Sequence, residues 1–89
     1  MADPTDQVRT SLQNVFREVF GEPNLLIHDE MTAADVAKWD SLSHIQMIVS
    51  VEKFFQVRFK NVEIARLKKV GDLIRLIAIH RSDLVKKAA

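Results

Sequence analysis

The sequence predicts an all-α protein: a small four-helix bundle with three main helices, one short third helix and a long loop between helices 1 and 2. Three observations carry this. Apolar residues recur at three- and four-residue intervals in separate runs, the spacing of helices that bury one face. No run alternates apolar and polar residues as a half-buried strand does. The chain has 89 residues, 47% of them hydrophobic, which supports one thin core and no second one. A single domain over residues 1–89 is expected, with an ordered core of about 5–82.

Residues 5–20 read as the first helix. Val8, Leu12, Val15, Phe16, Val19 and Phe20 form one apolar stripe. Asp3 or Thr5 can cap it, and Pro4 suits a first turn. Gly21 supplies the stop and Pro23 prevents continuation. Residues 21–40 form a connection longer than usual, so it must be pinned. Leu25, Leu26, Ile27, Met31, Val36 and Trp39 are the candidate pins. Thr32 and Asp35 have capping-box spacing around a short helical turn.

The second helix spans about residues 41–56. At about 100° per residue, Met47, Ile48, Val51, Phe54 and Phe55 gather on its core face. Leu42, Ile45 and Val49 form a second apolar stripe well off that axis. A domain this small has little reason to keep such a stripe unless something else covers it. Residues 61–67 suggest a short third helix capped by Asn61. The last helix covers about 70–80, with Val70, Leu73, Ile74 and Ile77 inward and a continuation to Lys86 open. Lys86 to Ala89 reads as a frayed tail.

Composition excludes several classes. There is no cysteine, so no disulfide framework and no thiol nucleophile. No apolar run is long enough to cross a membrane. The first residues lack the basic-then-apolar layout of a signal peptide. A cytoplasmic location is expected. The net charge is +1, but residues 1–40 hold eight acids and three bases, and residues 41–89 four acids and ten bases. Such asymmetry can mark an acidic partner or a nucleic acid, but more often a mixed solvated surface.

The chemistry centres on the loop–helix junction. Asp40 or Ser41 can cap the second helix, since a short side-chain oxygen satisfies its free N–H groups. Ser41 then lies between an acid and the leftover stripe. The segment from Trp39 to Phe59 resembles the acyl carrier protein family. The family signature is Asp-Ser-Leu at a helix start, here Asp40-Ser41-Leu42, and the match continues through Glu52, Phe54, Phe55, Val57 and Phe59.

The resemblance implies a small helical bundle that is a carrier and not an enzyme. It implies a covalent 4′-phosphopantetheine on Ser41, drawn from coenzyme A, that holds acyl, aminoacyl or peptidyl intermediates as thioesters. A helix N-terminus suits a phosphate. Asp40 would serve recognition by a phosphopantetheinyl transferase. Other implied partners are acyl- or aminoacyl-activating and transferring enzymes, read through Leu42, Ile45 and Val49. A monomer with no nucleic-acid or membrane partner is expected.

Other readings compete. Ser41 alone could be only a cap. His44, three residues on, raises a Ser–His pair, but no orienting partner or oxyanion hole is evident. His44 reads instead as a packed or half-buried side chain lining the route to an acyl pocket, and Trp39 as a loop anchor. His28, His44 and His80 lack metal-ligand spacing. A small basic nucleic-acid-binding domain is the alternative. The third and fourth helices would mimic a helix-turn-helix, with Arg66, Lys68, Lys69 and Arg75 on phosphates. A plain protein-interaction bundle is the third class.

One departure bears on pathway. Fatty-acid-type carriers have an acidic second helix. Here Glu52 is its only acid beyond Asp40, so steering by a negative field would be weak. A specialised pathway is expected, handling a polyketide, peptide or unusual acyl or aminoacyl intermediate.

Overall fold

The computed structural model describes residues 5–36 and 38–81. Its helices are α1 (Asp6–Phe20), α2 (Ser41–Phe55), α3 (Asn61–Ala65) and α4 (Val70–His80), with a 3-10 turn at Ala33–Asp35. The described residues contain no strand. The Asp3 cap, Pro4 and the tail at 86–89 fall outside the described residues. α4 spans Val70–His80, and Arg81 leaves the helical backbone; the continuation to Lys86 falls outside the described residues.

α1 packs along α2 and, over a smaller area, against α4. Val8, Leu12, Val15, Phe16 and Phe20 are buried on one side of α1. They meet Met47, Ile48, Val51 and Phe55 of α2 and Val70, Leu73, Ile74 and Ile77 of α4 in one hydrophobic cluster. Gly21 ends α1 at φ 64°, a left-handed conformation that favours glycine. Gln56 ends α2 in the same region of backbone space.

Three expectations need correction. Phe54 is 57% exposed, because it lies roughly 75° from the centre of the buried arc, at its edge. Leu26 is exposed. Its neighbour Ile27 takes the inward place. Asn61 is the first helical residue of α3, and Lys60 is its N-cap. There the Glu63 carboxylate reaches back to the Lys60 N–H at 2.8 Å.

The long loop is pinned by Ile27, Met31 and Val36, which are buried, and by Leu25 and Trp39, packed against the core. Polar ties hold it as well. Arg17 Nε donates to the Leu25 carbonyl at 2.7 Å, and the Ile27 N–H donates to Gln13 Oε1 at 3.0 Å. Arg9 bridges to Asp29 at 2.9 Å. The Val70 N–H donates to the Met31 carbonyl at 2.8 Å, and the Gly71 N–H to the Asp29 carbonyl at 2.9 Å. These two amides open α4 and have no partner inside their own helix. The Thr32–Asp35 capping box forms around the 3-10 turn as its spacing predicts.

Candidate functional site

The loop–helix junction is built by a reciprocal cap. Asp40 is the N-cap of α2, and its carboxylate accepts from the Ser43 N–H at 2.9 Å. The Ser43 hydroxyl accepts from the Asp40 N–H at 2.8 Å and donates to the Lys38 carbonyl at 2.7 Å. The Ser43 N–H, then the Ser43 hydroxyl, hold the Asp40 carboxyl below its ordinary pKa. Asp40 is therefore an anion at the positive end of a helix.

Ser41 is the first residue of α2 and is exposed. Its hydroxyl has no hydrogen-bond partner among the described residues, whereas that of Ser43 is fully engaged. Ser50 is partly buried farther along the helix. The cap thus occupies Asp40 and Ser43 and leaves the Ser41 oxygen outward, beside the free N–H groups of the first turn. That setting fits a phosphodiester. Asp40, and not Ser41, is the capping residue.

Trp39 anchors the junction. Its indole meets Phe16 edge-on at 5.3 Å and Phe20 at 5.6 Å between ring centres. Its N–H donates to His44 Nδ1 at 3.0 Å, which fixes His44 as the neutral ring with its proton on Nε2. Burial pushes the His44 pKa below its ordinary value. With Nδ1 accepting from Trp39 and Nε2 protonated, His44 has no free lone pair to serve as a base for Ser41. With Trp39, Met47, Leu67, Val70 and Leu73 it lines a space of about 10 Å³. Among the described residues no group of three His, Asp or Glu side chains could hold a metal.

On the outer face, Leu42 is 67%, Ile45 61% and Val49 43% exposed, while Val51 is fully buried. Past Val49 the stripe runs into an open groove of about 600 Å³ lined by Lys53, Gln56, Val57 and Arg58 as well. Glu52, the one acid of this helix, turns a carboxylate oxygen to the Phe59 N–H at 2.9 Å.

No protein-family model matches the chain. Its fold is similar to the solution structure of a holo acyl carrier protein from Geobacter metallireducens. The TM-score is 0.79 and the identity 34%, over 90% of this chain and 92% of that one. The sequence is 35% identical to the acyl carrier protein of Acidothermus cellulolyticus over 78 residues, 88% of this chain and 93% of the relative. The chain belongs to the acyl carrier protein family. It is a carrier and not an enzyme, and its cofactor is a covalent 4′-phosphopantetheine. A phosphopantetheinyl transferase and acyl-handling enzymes are the partners of such a carrier protein.

Family membership displaces the nucleic-acid-binding alternative. Two of that alternative's four cations are also engaged: Lys69 with Glu30 at 2.8 Å and Arg75 with Asp72. No helix of the described residues is long and apolar enough to cross a membrane. Sequence reasoning missed Ser43 as the second half of the cap and the Trp39–His44 bond. The first was findable, since Asp40 and Ser43 have capping-box spacing. The second had no signal, because no fixed spacing governs a pair that spans a loop–helix junction.

Proposed function

We propose that Ser41 is the attachment point of the 4′-phosphopantetheine arm and that Leu42, Ile45 and Val49 are the surface its partner enzymes grip. The observation that carries this is the exposed, uncommitted Ser41 hydroxyl at the start of α2. Ser41 would form the phosphodiester through Oγ, with the first-turn N–H groups facing the phosphate. The bound arm supplies the thiol that this cysteine-free chain lacks. Asp40 keeps its charge and holds the turn while a transferase places its metal and coenzyme A.

The cargo is an acyl or aminoacyl group of a specialised pathway. The acid-poor face of α2 supports this reading, since apolar contact would dominate docking. The carrier acts as a monomer, and a cysteine-free composition fits the cytoplasm. The test is intact mass and peptide mapping after incubation with coenzyme A, Mg²⁺ and a broad-specificity transferase. The label is expected on Ser41 alone. A label retained in full by Ser41→Ala would overturn the reading.

A further inference from the structure

We propose that the outer face of α2 takes an acidic segment of a partner enzyme, with carboxylates on Lys53 and Arg58 and an aliphatic side chain over Val49. The proposal rests on the Leu42–Ile45–Val49 stripe as the docking surface. At 100° per residue, Lys53 falls about 40° from Val49 and about 20° from Leu42. The apolar stripe therefore ends on a cation. Lys53 shares with Val49, Val57 and Arg58 the open groove of about 600 Å³ at the end of α2. Lys53 and Arg58 are exposed, and neither has an ion pair among the described residues.

Every described acid after Ser41 is engaged by a main-chain N–H. Glu52, the acid of the groove, accepts from the Phe59 N–H at 2.9 Å. Glu63 accepts from the Lys60 N–H at 2.8 Å and meets His80 Nε2 at 3.1 Å. Asp72 accepts from the Lys69 N–H at 3.1 Å and pairs with Arg75. The chain thus supplies no counter-charge to Lys53 or Arg58 among the described residues. In water they need none. A partner that covers Val49, however, also strips water from the two cations beside it. A cation desolvated without a counter-charge is costly, so the occupant has to bring carboxylates, and a basic segment is repelled. The planar fork of Arg58 suits a carboxylate in particular. A nucleic-acid backbone offers charge but nothing aliphatic for Val49 and Val57.

The probes are two helical peptides that share a central leucine and differ only in its flanks, glutamates in one and lysines in the other. Each is titrated into the full ¹⁵N-labelled chain, and amide shifts are followed at low and high salt. The glutamate peptide should move the amides of Val49, Lys53, Val57 and Arg58. Its affinity should exceed that of the lysine peptide by about tenfold or more and should fall with salt. In the doubly substituted chain Lys53→Glu, Arg58→Glu the preference should reverse. If that chain fails to fold by circular dichroism, Lys53→Gln with Arg58→Gln should abolish the preference.

Equal affinity for the two peptides, with shifts at Val49, would overturn the proposal and leave the stripe standing as a docking surface. Binding of neither peptide at about 1 mM would remove both. A short DNA duplex that moves the same amides at lower concentration than the glutamate peptide would make this a phosphate surface. Movement of those amides when the chain alone is diluted would make the occupant a second copy. Either result would overturn the proposal. None of these titrations involves the phosphopantetheine arm, so a failure of labelling at Ser41 leaves their outcome unchanged.

Discussion

The Trp39 indole N–H donates to His44 Nδ1 at 3.0 Å, and the two rings lie within 16° of parallel. The bond exists only while Nδ1 keeps its lone pair. The junction that carries Ser41 is therefore linked to a titrating group.

The pH dependence follows. Burial lowers the His44 pKa in the folded chain, so the unfolded chain binds a proton more readily. The stabilisation is present above the ordinary histidine value of 6.5 and is lost as pH falls through the lower folded value. Urea unfolding followed by Trp39 fluorescence should show stability falling between about pH 8 and about pH 5. The slope should be shallower in His44→Gln. Equal slopes in the two proteins would show that His44 is not the titrating group.

The three serines of α2 should separate cleanly. Ser41→Ala should lose the phosphopantetheine label and change stability by less than about 0.5 kcal/mol, as an exposed site does. Ser43→Ala should keep the label and lose about 1 kcal/mol with its capping hydrogen bonds. Ser50→Ala should keep the label. Intact mass and urea midpoints read both quantities on the same samples.

Val49 and Val51 lie on opposite sides of α2. Val49→Asp should fold, with a change below about 1 kcal/mol, and should slow modification and acyl transfer. Val51→Asp puts an unpaired charge in the core and should unfold the chain, at more than about 4 kcal/mol. Circular dichroism beside a transferase rate checks both. Normal modification and transfer with Val49→Asp would remove the stripe as a docking surface.

Gly71 sits in the first turn of α4, where helix propensity alone predicts that alanine stabilises by about 1 kcal/mol. The added Cβ would meet the Asp29 carbonyl oxygen at 3.0 Å and Cβ at 3.2 Å. That backbone cannot step back without losing its own bond to the Gly71 N–H. Gly71→Ala should therefore destabilise, and its urea midpoint should move down. An upward shift would show that the loop yields.

Helical spacing made much of this molecule legible in the sequence. It located Val51 inside, Leu42 outside and Ser41 at a helix start, because those positions follow from 100° per residue. The long loop was harder. Its buried pins follow from hydrophobicity, but hydrophobicity alone does not say which of the neighbours Leu26 and Ile27 turns inward. Its polar ties join groups far apart in sequence, such as Arg17 with the Leu25 carbonyl and Val70 with that of Met31. A carbonyl leaves no trace in residue identity. Phe54 failed for a related reason: the edge of a buried arc depends on how far the neighbouring helix reaches.

The amides of Val70 and Gly71 make the long loop's attachment observable. Amides at the start of a helix ordinarily trade their protons with water quickly, since the helix gives them no acceptor. Here their acceptors are Met31 and Asp29 of the loop. Each exchange event must therefore wait until that stretch lifts away. The deuterium uptake of these two sites, set against that of the α4 interior, times the loop's detachment separately from unfolding of the bundle.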